Sequence, residues 1–328
     1  RFADTPGKIA DGTRPDVACD HYHRWPEDIE QMKWLGLSAY RFSIAWPRVL
    51  PQGQGQINPA GLDFYERLVD GLLAAGIEPF PTLYHWDLPQ ALQDKGGWAN
   101  RDTTDAFAEY AAAVTHRLGD RIKRWVTHNE PWCIACLGHE EGHHAPGHKD
   151  PAEALRVAHH ILLSHGKAVP VIRSKVEGAE VGIVQIHCPA YPASDSEADY
   201  DAARWFDGFF NRWFMEPIFK GTYPADAIAD RIAAGHLDGP ELPFVQPGDM
   251  ELISAPLDFL GLNYYSRNVM RTDDEGKRVS VQLAPKEELT DMDWEVYPAG
   301  FYQSMRIIHR DYSPKKIYIT ENGAAYDY

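Results

Sequence analysis

Apolar positions along the chain alternate between two periods, one helical and one extended. Trp25, Ile29 and Met32 share a face in a run that Pro26, Glu27 and Asp28 open and Gly36 closes, and an extended apolar stretch follows at 37–44. The order then repeats. Asn58 and Pro59 open a helix with Leu62, Tyr65, Val69 and Leu72 on one face, Gly76 ends it, and 77–86 is extended. Pro79 and Pro81 lack the donors a central strand needs, so pairing is expected to begin near Thr82. A third helix from Asp102 carries Phe107, Tyr110, Val114 and Leu118 and leads to a strand over 125–130. A fourth opens at Asp150 and Pro151, is expected to bend at Pro170, and precedes a strand over 181–186. Residues 199–235 read as helical and aromatic-rich, 259–265 as a strand, 271–293 as a polar excursion, 299–309 as a helix and 317–321 as the last strand. The first 24 residues are a polar lead without strand pattern.

Strands that alternate with amphipathic helices pair in parallel, which makes the class α/β. Units of this length point to a (β/α)8 TIM barrel, in one domain over residues 1–328. No Gly-x-Gly-x-x-Gly follows any strand, which speaks against a dinucleotide fold.

Composition narrows the partners. A formal charge of -16 disfavours nucleic acid and anionic membrane and leaves a neutral ligand unopposed. Ten Trp and 16 Tyr suit sugar stacking, although a large core uses them equally well. Cys19, Cys133, Cys136 and Cys188 are too scattered for a disulfide framework, which points to a reducing, cytoplasmic compartment, and Cys133 and Cys136 read as buried thiols. No apolar run has transmembrane length. The run Asp20 to His23 and the group His139, His143, His144 and His148 contain metal-ligand types, but loop spacing defines no ligand geometry; the first is expected to hold surface or packed histidines and the second to be a solvated loop, neither with a metal.

The chemistry gathers where strands give way to loops. Arg41, the pair His85 and Trp86, the pair Asn129 and Glu130, the run Asn263 to Tyr265, and Glu321 all stand at such ends, the face where barrel enzymes place their sites. Two strand-end glutamates are what acid–base cleavage of a glycosidic bond needs, with carboxyls about 5 to 5.5 Å apart if configuration is retained. The tryptophan-rich setting of Glu130 would hold its proton by desolvation, whereas Arg41 and the Tyr265 hydroxyl would favour the anion of Glu321.

Thr127-His128-Asn129-Glu130-Pro131 resembles the acid/base motif of family 1 glycoside hydrolases, the β-glucosidases, and Ile319-Thr320-Glu321-Asn322-Gly323 resembles their nucleophile motif. Tyr40 to Arg48, Tyr84 to Pro89 and Gly261 to Tyr265 are similar to family stretches in family order. The resemblance implies a retaining exo-β-glycosidase acting on β-glucosides or cello-oligosaccharides of cellulose breakdown, without cofactor. It implies Glu130 as acid/base, Glu321 as nucleophile, Arg41 and Tyr265 as holders of Glu321, and Asn129, His85, Trp86, Asn263 and Trp294 as sugar-binding residues. His128 departs from the apolar residue usual before Asn-Glu-Pro, at a position that alternates away from the pocket.

Six strands are read where a closed barrel has eight. The expectation is therefore a partial barrel without the family's first strand and its last elements, with an open seam through which homo-oligomers could form. Such a chain is expected to be weakly active, or a sugar-binding remnant without turnover.

Overall fold

In the computed structural model, which describes residues 1–327, the strands are β1 (Ala39–Ser43), β2 (Glu78–Tyr84), β3 (Arg124–Asn129), β4 (Glu180–Ile186), β5 (Ala190–Pro192), β6 (Phe259–Asn263), β7 (Asn268–Thr272), β8 (Arg278–Ser280) and β9 (Ile317–Glu321). Six of them form one sheet in the order β1-β2-β3-β4-β6-β9, and β5, β7 and β8 form a second. The six are the strands expected from the apolar runs. The chain divides into two compact units, Arg1–Gly182 and Ile183–Tyr328, with the boundary inside β4.

In the first unit β1 pairs with β2 and β2 with β3, both in parallel. The prolines of β2 correct one expectation. Pairing with β1 starts at Glu78 and includes Pro79 and Pro81, whereas the register with β3 starts at Thr82. Glu78 donates to Ser38 and Thr82 accepts from Ile44, so the main-chain groups of these residues face β1. The alternate residues Pro79 and Pro81 turn their missing N–H groups to the other side, where no ladder is required of them.

Aromatic packing fixes the strand ends of this unit. The Tyr110 hydroxyl, fully buried, lies 2.8 Å from the Ile44 carbonyl and 2.9 Å from that of Leu83, and its ring stacks on Trp46. The first helix departs from expectation, and the fourth includes the proline at which a bend is expected. The first begins at His21 and carries Pro26 inside, and the helix Pro151–Lys175 continues through Pro170. After Trp132, residues Cys133–Glu140 wind as a π-helix, an element the sequence pattern does not signal.

In the second unit β6 and β9 pair in parallel, with a register shift between Leu262 and Asn263. Gly261 permits this contact, because a Cβ there would stand 2.5 Å from Val184 Cγ2 and 3.1 Å from Thr320 Cγ2. In the sheet order β9 is terminal, and its Ile319 is 46% exposed, more than a strand covered on both faces allows. The polar excursion is not structureless: β7 and β8 form an antiparallel hairpin, with Gly276 at φ +77 in its turn, and β5 pairs with β7. β8 is only Arg278, Val279 and Ser280, too short and polar to show an alternating pattern. Among the described residues no helix is long and apolar enough to cross a membrane.

Candidate active site

β3 delivers Asn129 as its last residue and Glu130 as the next, and both are buried, Glu130 with 4% exposure. Glu130 adopts φ +47 and Trp86, just past the end of β2, adopts φ +83. Non-glycine residues pay of order 1–3 kcal/mol for such backbone, which persists where surrounding structure enforces it and concentrates at functional sites. The enforcing contacts are present. The Trp86 indole N–H donates to the Asn129 carbonyl at 2.9 Å, Arg41 Nη2 donates to Asn129 Oδ1 at 2.6 Å, and Asn129 Nδ2 lies 3.3 Å from His85 Nε2. Arg41, His85, Trp86 and Asn129 therefore form one polar group beside Glu130.

The sequence reads Cys133 only as a buried thiol, and it is buried; its Sγ also donates to Glu130 Oε2 at 3.1 Å. Cys133 follows Glu130 by three residues, about one helical turn. Asp87 is likewise absent from the residues singled out by sequence. Its carboxyl is pushed up to about 7 by burial, an effect that its own backbone N–H and the Arg48 charge only partly offset.

His128, between Thr127 and Asn129, points away from this group. Its Nε2 lies 2.8 Å from Ser164 Oγ and its ring stacks on Phe107, so the strand alternation holds. Burial keeps it well below the usual histidine range and so neutral.

The second unit carries the other glutamate. Glu321 ends β9, and the Tyr265 hydroxyl donates to its Oε2. Thr320 Oγ1 donates to Asn263 Oδ1 at 2.6 Å, and Asn322 Nδ2 donates to the Tyr264 carbonyl at 2.7 Å, so the residues flanking Glu321 tie the end of β9 to the end of β6. Trp294 is 38% exposed with its ring centroid 5.2 Å from that of Tyr265. Its loop is held by the bidentate Arg267–Glu295 pair at 2.8 and 2.9 Å, which the sequence does not suggest. Glu321, Tyr265, Asn263 and Trp294 thus make the second group.

Two strand-end carboxyls are present in different surroundings. Glu130 is buried beside a thiol, and Glu321 accepts from a phenol.

The loop histidines separate. His139 and His148 both meet Glu153, His143 pairs with Glu141 at 3.1 Å, and the His144 ring lies 5.2 Å from that of Trp86. His139 is buried, which corrects the expectation of a wholly solvated loop. In the lead, His21 pairs with Asp28 at 2.5 Å and His23 with Asp20 at 2.7 Å.

The profile of Glycosyl hydrolase family 1 matches residues 1–328. The chain is 48% identical to Beta-glucosidase A of Acetivibrio thermocellus, an alignment covering 99% of this chain and 72% of the relative. It is 47% identical to a 1,4-beta-D-glucan glucohydrolase of Thermotoga neapolitana over 99% of this chain and 75% of that protein. Among solved structures, a Thermotoga maritima beta-glucosidase in complex with glucoimidazole superposes with a TM-score of 0.93 at 46% identity, covering 99% of this chain and 72% of that one. The six-stranded parallel sheet is that of an incomplete (β/α)8 barrel, and the chain belongs to glycosyl hydrolase family 1.

Proposed function

We propose that the protein is a retaining exo-β-glucosidase that hydrolyses β-glucosides and short cello-oligosaccharides by double displacement. The observation that carries the reading is the hydrogen bond from Tyr265 to Glu321 Oε2, because a donor on one oxygen favours the anion and leaves the other oxygen to attack. Glu321 displaces the aglycone and forms a glycosyl-enzyme ester. Glu130, whose burial disfavours the charged form, protonates the departing oxygen and then, as carboxylate, takes a proton from the water that cleaves the ester. Asn129, oriented by Arg41 and Trp86, binds the hydroxyl next to the anomeric carbon, and His85 and Trp86 bind the rest of the glycone. Asn263 steadies the nucleophile strand, and the exposed Trp294 offers a stacking face to the aglycone.

The family profile runs through both units without a break, which supports one catalytic domain. Four free cysteines fit a cytoplasmic setting. The test is proton NMR of the first product released from an aryl β-glucoside. β-Glucose as the first anomer supports retention, and α-glucose would overturn it.

A further inference from the structure

Three residues from three successive segments meet in the first unit, apart from the two glutamates. His139 belongs to the π-helix Cys133–Glu140, His148 to the loop after it, and Glu153 to the first turn of the helix Pro151–Lys175. Nδ1 of His139 and Nδ1 of His148 each lie 2.6 Å from the same atom, Glu153 Oε1. The three atoms all lie within 4.8 Å of one another, and the two rings are perpendicular, so they reach the shared oxygen from different directions.

The frame around them is fixed by main-chain bonds. Asp150 N donates to the His139 carbonyl at 2.7 Å, His148 N donates to the Gly138 carbonyl at 3.0 Å, and the Asp150 carboxylate caps the helix through Glu153 N. One side is open: the His139 side chain is 1% exposed, whereas that of His148 is 45% exposed.

We propose that His139, His148 and Glu153 form a binding site for one divalent transition-metal ion of the zinc class. Two imidazole nitrogens and one carboxylate oxygen are a donor set that zinc uses and that calcium and magnesium, which prefer oxygen, do not. Ligand bonds of about 2.0–2.1 Å in a tetrahedron put donor atoms roughly 3.3–3.4 Å apart. Glu153 Oε1 therefore has to withdraw by less than about 1 Å, and the two nitrogens, which lie within 4.8 Å of each other, have to close toward that spacing as the more exposed His148 side chain turns inward. Binding requires each imidazole to present Nδ1 as a lone pair, with the ring proton on Nε2.

The surroundings are compatible. Burial holds His139 below the usual histidine range, so it is neutral and ready to ligate. Arg156 stands 3.9 Å from Glu153 Oε2, the oxygen the ion does not use. Water would complete the coordination on the His148 side. A bound ion would clamp the loop that sets His144 against Trp86.

The site does not depend on the roles given to Glu130 and Glu321, and its test needs no turnover. Chelator-treated protein is titrated with Zn²⁺ by calorimetry and with Co²⁺ by visible absorption, beside His148→Ala and Glu153→Gln. One ion per chain, a Co²⁺ ligand-field band, and at least about tenfold weaker binding in both variants are expected. Absence of binding overturns the proposal. So does binding that both variants leave unchanged, which would place the ion elsewhere, for example near Cys19, His21 and His23.

Discussion

Glu130, the proposed acid/base, shows how closely one carboxyl is held. Its left-handed backbone, its burial and the thiol of Cys133 on Oε2 are three separate constraints on one carboxyl. A thiol donor favours the carboxylate, so removing it should make the acid hold its proton to higher pH. Cys133→Ala is expected to move the basic limb of the kcat/KM profile up by about half a pH unit, the worth of a weak S–H···O bond, and Cys133→Ser to restore it. An unmoved limb in Cys133→Ala would show that the thiol only fills space. At this scale the sequence is legible where chemistry sits at a strand end, as for Asn129, Glu130 and Glu321. The roles of Cys133 and the Arg267–Glu295 pair are not legible, because their partners are set by a π-turn and by a loop whose path no periodicity announces.

Elements carry the site through their ends. Thr320, next to Glu321, binds Asn263 across the β6–β9 pair, and Gly261 lets Val184 and Thr320 approach that pair closely. Gly261→Ala is therefore expected to cost about 1–3 kcal/mol by overpacking and to disturb the Thr320 anchor. Chemical denaturation of the variant checks this, and a midpoint equal to that of the parent would mean that Val184 gives way freely. Element order is readable because helix, glycine and strand recur at steady intervals. The register of β2 is only half readable: Pro79 and Pro81 signal a missing donor but not the side it faces. The β7–β8 hairpin escapes because charge and brevity hide its alternation.

For the whole molecule, acid should destabilise. Burial holds His160 down to about 4, His165 to about 3 and His187 to about 4, and puts His128 well below its usual range. In the unfolded chain these rings take up protons below about 6.5, so the unfolded state binds more protons and stability falls as pH drops from there toward 4. Each buried ring contributes up to about 1.4 kcal/mol per pH unit in that window. Asp87 acts in the opposite sense. Its folded-state carboxyl stays protonated up to about 7, so its contribution is present at low pH and lost as pH rises toward 7. Four rings outweigh one carboxyl, and in about 0.15 M salt, where surface charges are screened, the thermal midpoint should fall between pH 6.5 and 4.5. A midpoint that stays level or rises would contradict the neutral histidine cores. The division of labour between Glu321 and Glu130 is tested most directly by the anomeric configuration of the glucosyl azide that Glu321→Gly and Glu130→Ala form from an aryl β-glucoside in azide. The account predicts α-glucosyl azide from Glu321→Gly, where azide attacks the substrate directly, and β-glucosyl azide from Glu130→Ala, where it attacks the glycosyl-enzyme. The reverse assignment, or the same anomer from both, would contradict it.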